Sequence, residues 1–174
     1  MIVLVRLTEP SEKYLKSYIE AYDEYEDNHV TTYAFDDARS YDIFMKYDNY
    51  KNERNLQPNR VGADYFWLVD DNKDFFIGEI NIRHNLTDAL LRYGGHIGYG
   101  IRYSEWNKGY GTFMLKLALE KARGMGISKV LTTCDDDNLA SAKVMEKNDM
   151  VFQDKVENII DGQKIITRRY WRTL

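Results

Sequence analysis

The chain has 174 residues, with 24 Lys and Arg against 28 Asp and Glu for a formal net charge of −4, and 44% of its residues are hydrophobic. These values predict one ordinary globular domain spanning residues 1–174, and they argue against a general nucleic-acid binder. The single cysteine, Cys134, rules out an internal disulfide and favours the reducing cytoplasm. The N-terminal apolar run is too short for a signal peptide or a membrane span.

The first half of the chain predicts the order β-α-α-β-β. Ile2–Leu7 has the β-branched composition of a strand, and Thr8 with Pro10 indicates that a helix follows. Apolar residues then recur at steps of three and four and give this helix one apolar face: Leu15, Tyr18, Ile19, Tyr22 and Tyr25. A second helix is predicted near Asp37–Tyr50. Two strands, "YFWLVD" and "FFIGEINIRH", follow as a hairpin around the polar turn "DNKD".

The second half predicts a strand within "GGHIGYGIR", reached through the connection "NLTDALLRYGG". The helical segment "TFMLKLALEKARGMG" ends in glycines that suit a C-cap, and "SKVLTTC" is a strand. Asn138 is a natural N-cap for the helix "LASAKVMEKN". The strands "MVFQDKVE" and "KIITRRYWRTL" surround the turn "IIDGQ". Hairpins combined with a βαβ unit predict an α/β fold, a mixed sheet with helices on both faces.

The segment "NKGYGT", Asn107–Thr112, places two glycines where a helix begins. Unpaired N–H groups at a helix start and glycines without a Cβ make a cradle for a phosphate group. A Walker loop would need a Lys-Ser or Lys-Thr pair after the last glycine, whereas Thr112 and Phe113 follow Gly111. A dinucleotide-binding fingerprint would need a third glycine where Met114 stands, so both of these nucleotide motifs fail.

Two blocks resemble those of the GNAT-type N-acetyltransferases, and in particular a bacterial subgroup known mostly as predicted acetyltransferases. The segment "WNKGYGT" is similar to their pyrophosphate loop, Q/R-x-x-G-x-G/A, except that Trp106 replaces the usual Arg or Gln. The segment "DDDNLASAKVMEKNDMVF" is similar to a second family block, with one extra residue before Phe152 and with Asp149 where glycine is usual. The resemblance covers about residues 65–174.

The resemblance implies a GNAT-like sheet, mostly antiparallel and splayed at an acyl-CoA cleft, and transfer of an acetyl group from acetyl-CoA to a primary amine. Gly98 and Gly100 are expected to form a bulge that turns the Ile101 N–H toward the thioester carbonyl, and the alternative is that they only allow close packing of a neighbour. The residues expected to bind the cosubstrate are Tyr99, Ile101, Trp106, Asn107, Lys108, Gly109, Tyr110, Gly111, Thr112 and Asn138. No metal is expected, because neither His29 nor His84 has a partner at a ligand spacing.

Two residues are candidates for the base that takes the proton from the substrate ammonium. His96 lies on the glycine-rich strand, and its ordinary pKa suits a base near neutral pH; a purely structural histidine is an equal alternative. Glu79 lies on the adjoining strand and could reach the same cleft. Its alternative is a carboxylate on an exposed strand face.

The general acid and the acceptor stay open at the level of the sequence. Met145 stands where the family usually has the tyrosine that protonates the CoA thiolate, which leaves a non-catalytic acyl-CoA-binding or sensing module as the alternative function. A small amine and a peptide amine are both compatible acceptors, and a homodimer is also left open. Neither nucleic acid nor a membrane is expected as a partner.

Overall fold

The strands and α-helices follow one another in the order that the sequence predicts, with one additional α-helix. The computed structural model describes residues 4–31 and 34–174. Within them the strands are β1 (Val5–Thr8), β2 (Ala63–Asp70), β3 (Phe75–Arg83), β4 (Ile97–Ile101), β5 (Lys129–Asp135), β6 (Val151–Ile160) and β7 (Gln163–Thr173). The α-helices are α1 (Leu15–Asp27), α2 (Ile43–Lys51), α3 (Asp88–Arg92), α4 (Tyr110–Gly124) and α5 (Leu139–Glu146). Ile2 and Val3 of the predicted first strand lie outside the described residues.

The short helix α3 is the addition, and it lies in the connection "NLTDALLRYGG" that leads to β4. Thr87 caps it, since the Thr87 hydroxyl accepts a hydrogen bond from the Leu90 N–H at 3.2 Å. The second predicted helix begins later than expected, at Ile43, because Asp42 is its N-cap. The Asp42 carboxylate accepts from the N–H groups of Phe44 and Met45 at 2.9 and 3.1 Å.

The strands form one sheet in the order β1-β2-β3-β4-β5-β7-β6. Every neighbouring pair is antiparallel except β4 and β5, which are parallel and are joined through α4. The predicted mixed, mostly antiparallel sheet is therefore confirmed. None of the helices among the described residues has the length and apolarity needed to cross a bilayer.

The two faces of the sheet carry different cores. On one face α4 and α5 pack through aliphatic side chains against β2, β3 and β4. On the other face α1 and α2 bury an aromatic cluster, in which Tyr18 stacks on Trp67 with ring centroids 4.8 Å apart. Tyr18 and Tyr25 are 0% and 3% exposed, so the tyrosine-rich face predicted for the first helix is core packing.

The helix α4 ends as its glycines predict. Gly126 has a φ of 83°, the left-handed conformation that glycine adopts without a steric penalty. The Ile127 N–H donates to the Ala122 carbonyl at 3.1 Å, and the Gly126 N–H donates to the Arg123 carbonyl at 3.0 Å. This pair of hydrogen bonds is a Schellman motif, and it turns the chain into β5.

Candidate active site

The sheet opens between β4 and β5. These strands share a single register pair, Ile97 with Thr132, although each continues beyond it. Past Ile97 the edge of β4 that faces β5 has no strand paired to it among the described residues. The predicted splay is therefore present, and it leaves a gap lined by backbone.

The splay has a different origin from the predicted bulge. Pairing of β4 with β3 is regular from Gly78–Ile101 to Ile82–Ile97, so the expectation of a bulge at Gly98 and Gly100 is wrong. The register shift of this part of the sheet lies instead between β2 and β3, next to Leu68. The gap arises because β5 diverges from β4, whose own pairing with β3 is undisturbed.

The alternation of hydrogen bonds along β4 directs two residues into the gap. The Arg102 N–H donates to the Ile77 carbonyl on β3 at 2.8 Å, so Tyr99 and Ile101, at odd positions, turn their N–H and C=O groups away from β3. The Ile101 carbonyl bears this out, because it accepts from the Tyr25 hydroxyl and from the Trp106 indole N–H, both at 2.7 Å. The N–H groups of Tyr99 and Ile101 are thus donors facing the gap.

A helix N-terminus lies at the end of this strand. Asn107 has a φ of 60° and Gly109, the N-cap of α4, has a φ of 86°. The Phe113 N–H donates to the Gly109 carbonyl at 3.1 Å, which makes it the first intrahelical donor of α4. The N–H groups of Tyr110, Gly111 and Thr112 precede it and point out of the helix, where the helix dipole favours an anion.

The two glycines of this loop have different roles. A Cβ built on Gly109 meets nothing within 4 Å, so this glycine is required for its positive φ. A Cβ built on Gly111 lies 3.2 Å from the Val144 side chain and 3.8 Å from Ile101. Gly111 therefore lets α4 approach α5 closely, and its Cα faces the packed interior instead of a phosphate.

Two further side chains predicted for the loop are engaged within the protein. Lys108 pairs with Glu105 at 3.0 Å and is 53% exposed, so its charge is partly balanced. Trp106 is 42% exposed, and its indole N–H is committed to the Ile101 carbonyl. Trp106 thus holds the end of β4 in the place where the family carries Arg or Gln.

The start of α5 approaches β4 from the aliphatic side of the sheet. Asn138 caps α5 as predicted, because its side-chain oxygen accepts from the Ser141 N–H at 3.0 Å. The Tyr99 hydroxyl lies 2.7 Å from the Ser141 hydroxyl, and burial raises the pKa of Tyr99. Met145 is fully buried in the core and presents no group to the gap.

Glu79 lies on β3 directly opposite Gly100 of β4, on the face covered by α1 and α2. It is only 5% exposed, so the alternative of a solvated carboxylate is wrong. Its Oε2 accepts from the Tyr47 hydroxyl at 2.6 Å and from the Trp67 indole N–H at 2.9 Å, while Oε1 accepts no hydrogen bond from a described residue. Burial raises the pKa of Glu79 to about 7, against the opposing effect of these two donors.

His96 is committed to the backbone of β5. Its Nδ1 lies 3.0 Å from the Leu131 N–H, which can only donate, so the neutral imidazole carries its proton on Nε2 and has no lone pair free for a substrate. Burial, and then the nearby charge of Arg83, lower the pKa of His96. The sequence allows His96 to be either a base or a structural histidine, and this geometry favours the structural role.

Sequence reasoning missed two neighbours of Glu79. Asn81 and Arg83 share its face of β3, since side chains alternate along a strand. The segment "EINIR" shows this alternation, but polar residues at every second position are usually a solvated face, whereas here Glu79 is buried and Asn81 and Arg83 are half-buried. Among the described residues no three His, Cys, Asp or Glu side chains are grouped as metal ligands.

Solved structures with this fold are numerous. The microcin C7 self-immunity acetyltransferase MccE, in complex with acetyl-CoA and AMP, has a TM-score of 0.72 at 15% identity over 98% of this chain and 92% of that one. RimL, a ribosomal L7/L12 α-N-protein acetyltransferase in complex with coenzyme A, has a TM-score of 0.68 at 15% identity, covering 98% and 94%. An acetyltransferase of Salmonella typhimurium that modifies the N-terminal serine of L7/L12 has a TM-score of 0.70 at 15% identity, covering 98% and 95%.

The family itself is identified from the sequence. A comparison with curated proteins finds no match. The family model described as an acetyltransferase (GNAT) domain matches residues 5–151, which is most of the chain and includes β4, the loop before α4, and α5. The predicted family and the predicted enzyme class, an acyltransferase, are thereby confirmed. The chain belongs to the GNAT acetyltransferase family.

Proposed function

We propose that this protein transfers an acetyl group from acetyl-CoA to a primary amine by direct attack, with residues 1–174 acting as one domain. The observation that carries the proposal is the position of Glu79. The carboxyl group of Glu79 is buried, and its pKa is raised to about 7. It lies opposite Gly100 of β4, and the other edge of β4 lines the gap. A base of this pKa, one strand from a row of backbone donors, suits acyl transfer to an amine.

Acetyl-CoA is proposed to lie in the gap between β4 and β5. The N–H groups of Tyr99 and Ile101 would bind the acyl and pantetheine portion, and the N-terminus of α4 would bind the pyrophosphate. The Ile101 carbonyl already has two donors, Tyr25 and Trp106, so the cosubstrate would use the N–H of this residue and not its carbonyl. MccE and RimL, which have this fold, are known in complex with acetyl-CoA and coenzyme A, and this supports the placement.

The reaction begins with loss of a proton from the ammonium form of the acceptor. A free ammonium has a pKa near ~10, and Glu79 accepts its proton most efficiently where the amine is desolvated next to the carboxylate. The amine nitrogen then attacks the thioester carbon, forming the C–N bond as negative charge develops on the carbonyl oxygen. The N–H groups of Tyr99 and Ile101 stabilise that charge, and the C–S bond breaks to release the CoA thiolate.

The hydroxyl pair of Tyr99 and Ser141 is proposed as the source of the proton for the thiolate. The two oxygens are 2.7 Å apart and join β4 to the first turn of α5 beside the gap. The Tyr99 hydroxyl is protonated at neutral pH, and although burial raises the pKa of Tyr99, the hydrogen bond with Ser141 opposes this and would stabilise the phenolate that proton transfer leaves. This pair would replace the tyrosine that the family usually carries at the position of Met145.

A non-catalytic acyl-CoA-binding module is the second candidate, favoured by the burial of Met145 in the core. Thermal unfolding with CoA and with ATP, followed by free-thiol release from acetyl-CoA in the presence of an amine panel, separates the two functions. The enzyme is stabilised by CoA and not by ATP, and releases thiol only when an amine is present. A binding module shows the stabilisation without amine-dependent thiol.

The setting of the reaction is proposed from the sequence and the relatives. The RimL and Salmonella typhimurium enzymes act on the amino terminus of a ribosomal protein, which supports a peptide amine as one acceptor class beside small amines. A single cysteine, whose burial raises its pKa to about 11, is compatible with action in the cytoplasm.

A homodimer is compatible with the proposed function, and light scattering at several protein concentrations tests for it.

A further inference from the structure

A row of polar side chains lies along β3 on the face of the sheet that carries α1 and α2. The row consists of Glu79, Asn81 and Arg83, and Gly98 of β4 lies opposite Asn81. We propose that this polar row recognises an acceptor that carries a carboxylate as well as its amine, with the amine at Glu79 and the carboxylate at Arg83. The inference rests on the proposed acetyl transfer and adds the chemical class of the acceptor.

Arg83 is a cation without an anion. Its Nη1 donates to the carbonyls of Gly94 and Gly95 at 2.9 and 3.0 Å, which fixes the guanidinium, and no carboxylate of a described residue lies within 4.0 Å of it. Burial, and the further repulsion from nearby Arg60, lower the pKa of Arg83. A partly buried guanidinium held in place by carbonyls and lacking a counter-ion is a receptor for a carboxylate.

Asn81 lies between the two charged groups and also lacks a partner. Its side-chain oxygen is buried and accepts no hydrogen bond from a described residue. Buried polar atoms are rarely left unpaired, and a ligand supplies the missing partner in many functional sites. An amide N–H or a hydroxyl of the acceptor, placed between its amine and its carboxylate, would bond to this oxygen.

The charges along the polar row set the orientation. The end at Glu79 holds two carboxylates, Glu79 and Asp36, against one cation, Lys46, which pairs with Asp36 and lowers the pKa of Glu79 more than Asp36 raises it. The end at Arg83 is basic, with Arg60 nearby. An ammonium is thus attracted to the end beside the thioester, and a carboxylate to the opposite end.

The separation of the two ends selects the length of the acceptor. The Arg83 Nη2 lies 3.4 Å from the position that a Cβ would take on Gly98, and the Asn81 Nδ2 lies 3.2 Å from it, so both side chains lean over this glycine. Gly98 is two residues from Gly100, the partner of Glu79, which is about 7 Å along a strand. An ω-amino acid such as 6-aminohexanoate, or a dipeptide, spans this distance, whereas glycine is too short.

The test compares two amines of equal reach, 6-aminohexanoate and hexylamine, as acceptors with acetyl-CoA. A charge-assisted hydrogen bond to Arg83 predicts that kcat/KM for 6-aminohexanoate exceeds that for hexylamine by about tenfold or more. Arg83→Gln lowers kcat/KM for 6-aminohexanoate more than for hexylamine and so removes this preference, and Arg83→Lys restores part of it. Arg123→Gln, on the exposed end of α4, is the matched control and keeps the wild-type ratio.

Each outcome decides between the two proposals. If Arg83→Gln lowers the rates with both amines equally, or if wild type has no preference, acetyl transfer stands and the carboxylate site is refuted. If neither amine is acetylated, calorimetry on the CoA-saturated protein measures binding of 6-aminohexanoate. Binding that Arg83→Gln abolishes supports the site even though the proposed transfer fails, and the absence of binding to wild type refutes the site.

Discussion

Replacing Glu79 by Gln separates the role of this carboxylate in catalysis from its role in packing. Both hydrogen bonds that Glu79 accepts, from Tyr47 and from Trp67, are made to Oε2. The side-chain oxygen of Gln can take the place of Oε2 and keep both, so the substitution removes the charge and the basicity with little structural change. We expect Glu79→Gln to lower kcat/KM for the amine by about 10²–10⁴, the usual contribution of a general base.

The stability of the protein is expected to change in the opposite direction. Burial raises the pKa of Glu79 from 4.5 to about 7, so between these values the unfolded state has lost its proton while the folded state keeps it. The free energy of unfolding of the wild type therefore falls as the pH rises through this window, by about 3 kcal/mol in total. Gln does not titrate, so the stability of Glu79→Gln relative to wild type increases by this order of magnitude over the same window.

Two measurements check this prediction. Rates of CoA release across a pH range centred on 7 should show an acidic limb in the wild type, which is lost in Glu79→Gln, while the KM for acetyl-CoA is kept. Denaturant unfolding of both proteins at several pH values gives the stability difference, and Glu120→Gln, at an exposed position of α4, is the control. A variant with the wild-type rate and limb, or a stability difference that does not grow with pH, would refute the assignment of Glu79.

Two other substitutions test the cosubstrate site, and a third tests the packing beside it. Tyr99→Phe should lower kcat by about 10²-fold, the lower range for acid catalysis, and an acetyl thioester of a more acidic thiol should recover most of the rate; an equal loss with both thioesters argues against the acid role. Lys108→Ala should raise the KM for acetyl-CoA only slightly and mainly at low salt, since Glu105 already balances it, and a large effect at high salt would contradict this. Gly111→Val should lower the melting temperature, because its Cβ meets Val144, and an unchanged melting temperature would show that α4 and α5 adjust freely.

The order of elements could be predicted from the sequence because periodicity and caps are local signals. The glycine ending of α4 and the Asn138 cap of α5 are where the sequence places them. The helix α3 was missed because it has only five residues, too few to show a helical period. The bulge expected in β4 is absent because strand pairing depends on neighbours far apart in the chain, which a glycine pattern does not specify.

Sequence patterns locate the backbone features of the candidate site better than the features that depend on packing. The loop before α4 could be located from "NKGYGT", since glycine positions reflect backbone geometry directly. The sequence could not decide which of Glu79 and His96 is the better candidate for the base. That choice depends on the burial of Glu79 under α1 and α2 and on the Leu131 N–H that donates to His96. The Tyr99–Ser141 contact joins residues 42 positions apart, and no local sequence pattern predicts it.

Isotope tracing distinguishes direct transfer of an acetyl group to an amine from every other fate of acetyl-CoA. The protein is incubated with acetyl-CoA labelled in the acetyl group and with 6-aminohexanoate, hexylamine or a short peptide, and mass spectrometry follows the label. Direct transfer places the label on the nitrogen of at least one amine, releases free CoA in equal amount, and leaves the protein unlabelled. Label on the protein itself, for example on Cys134, or only as free acetate, would contradict direct transfer.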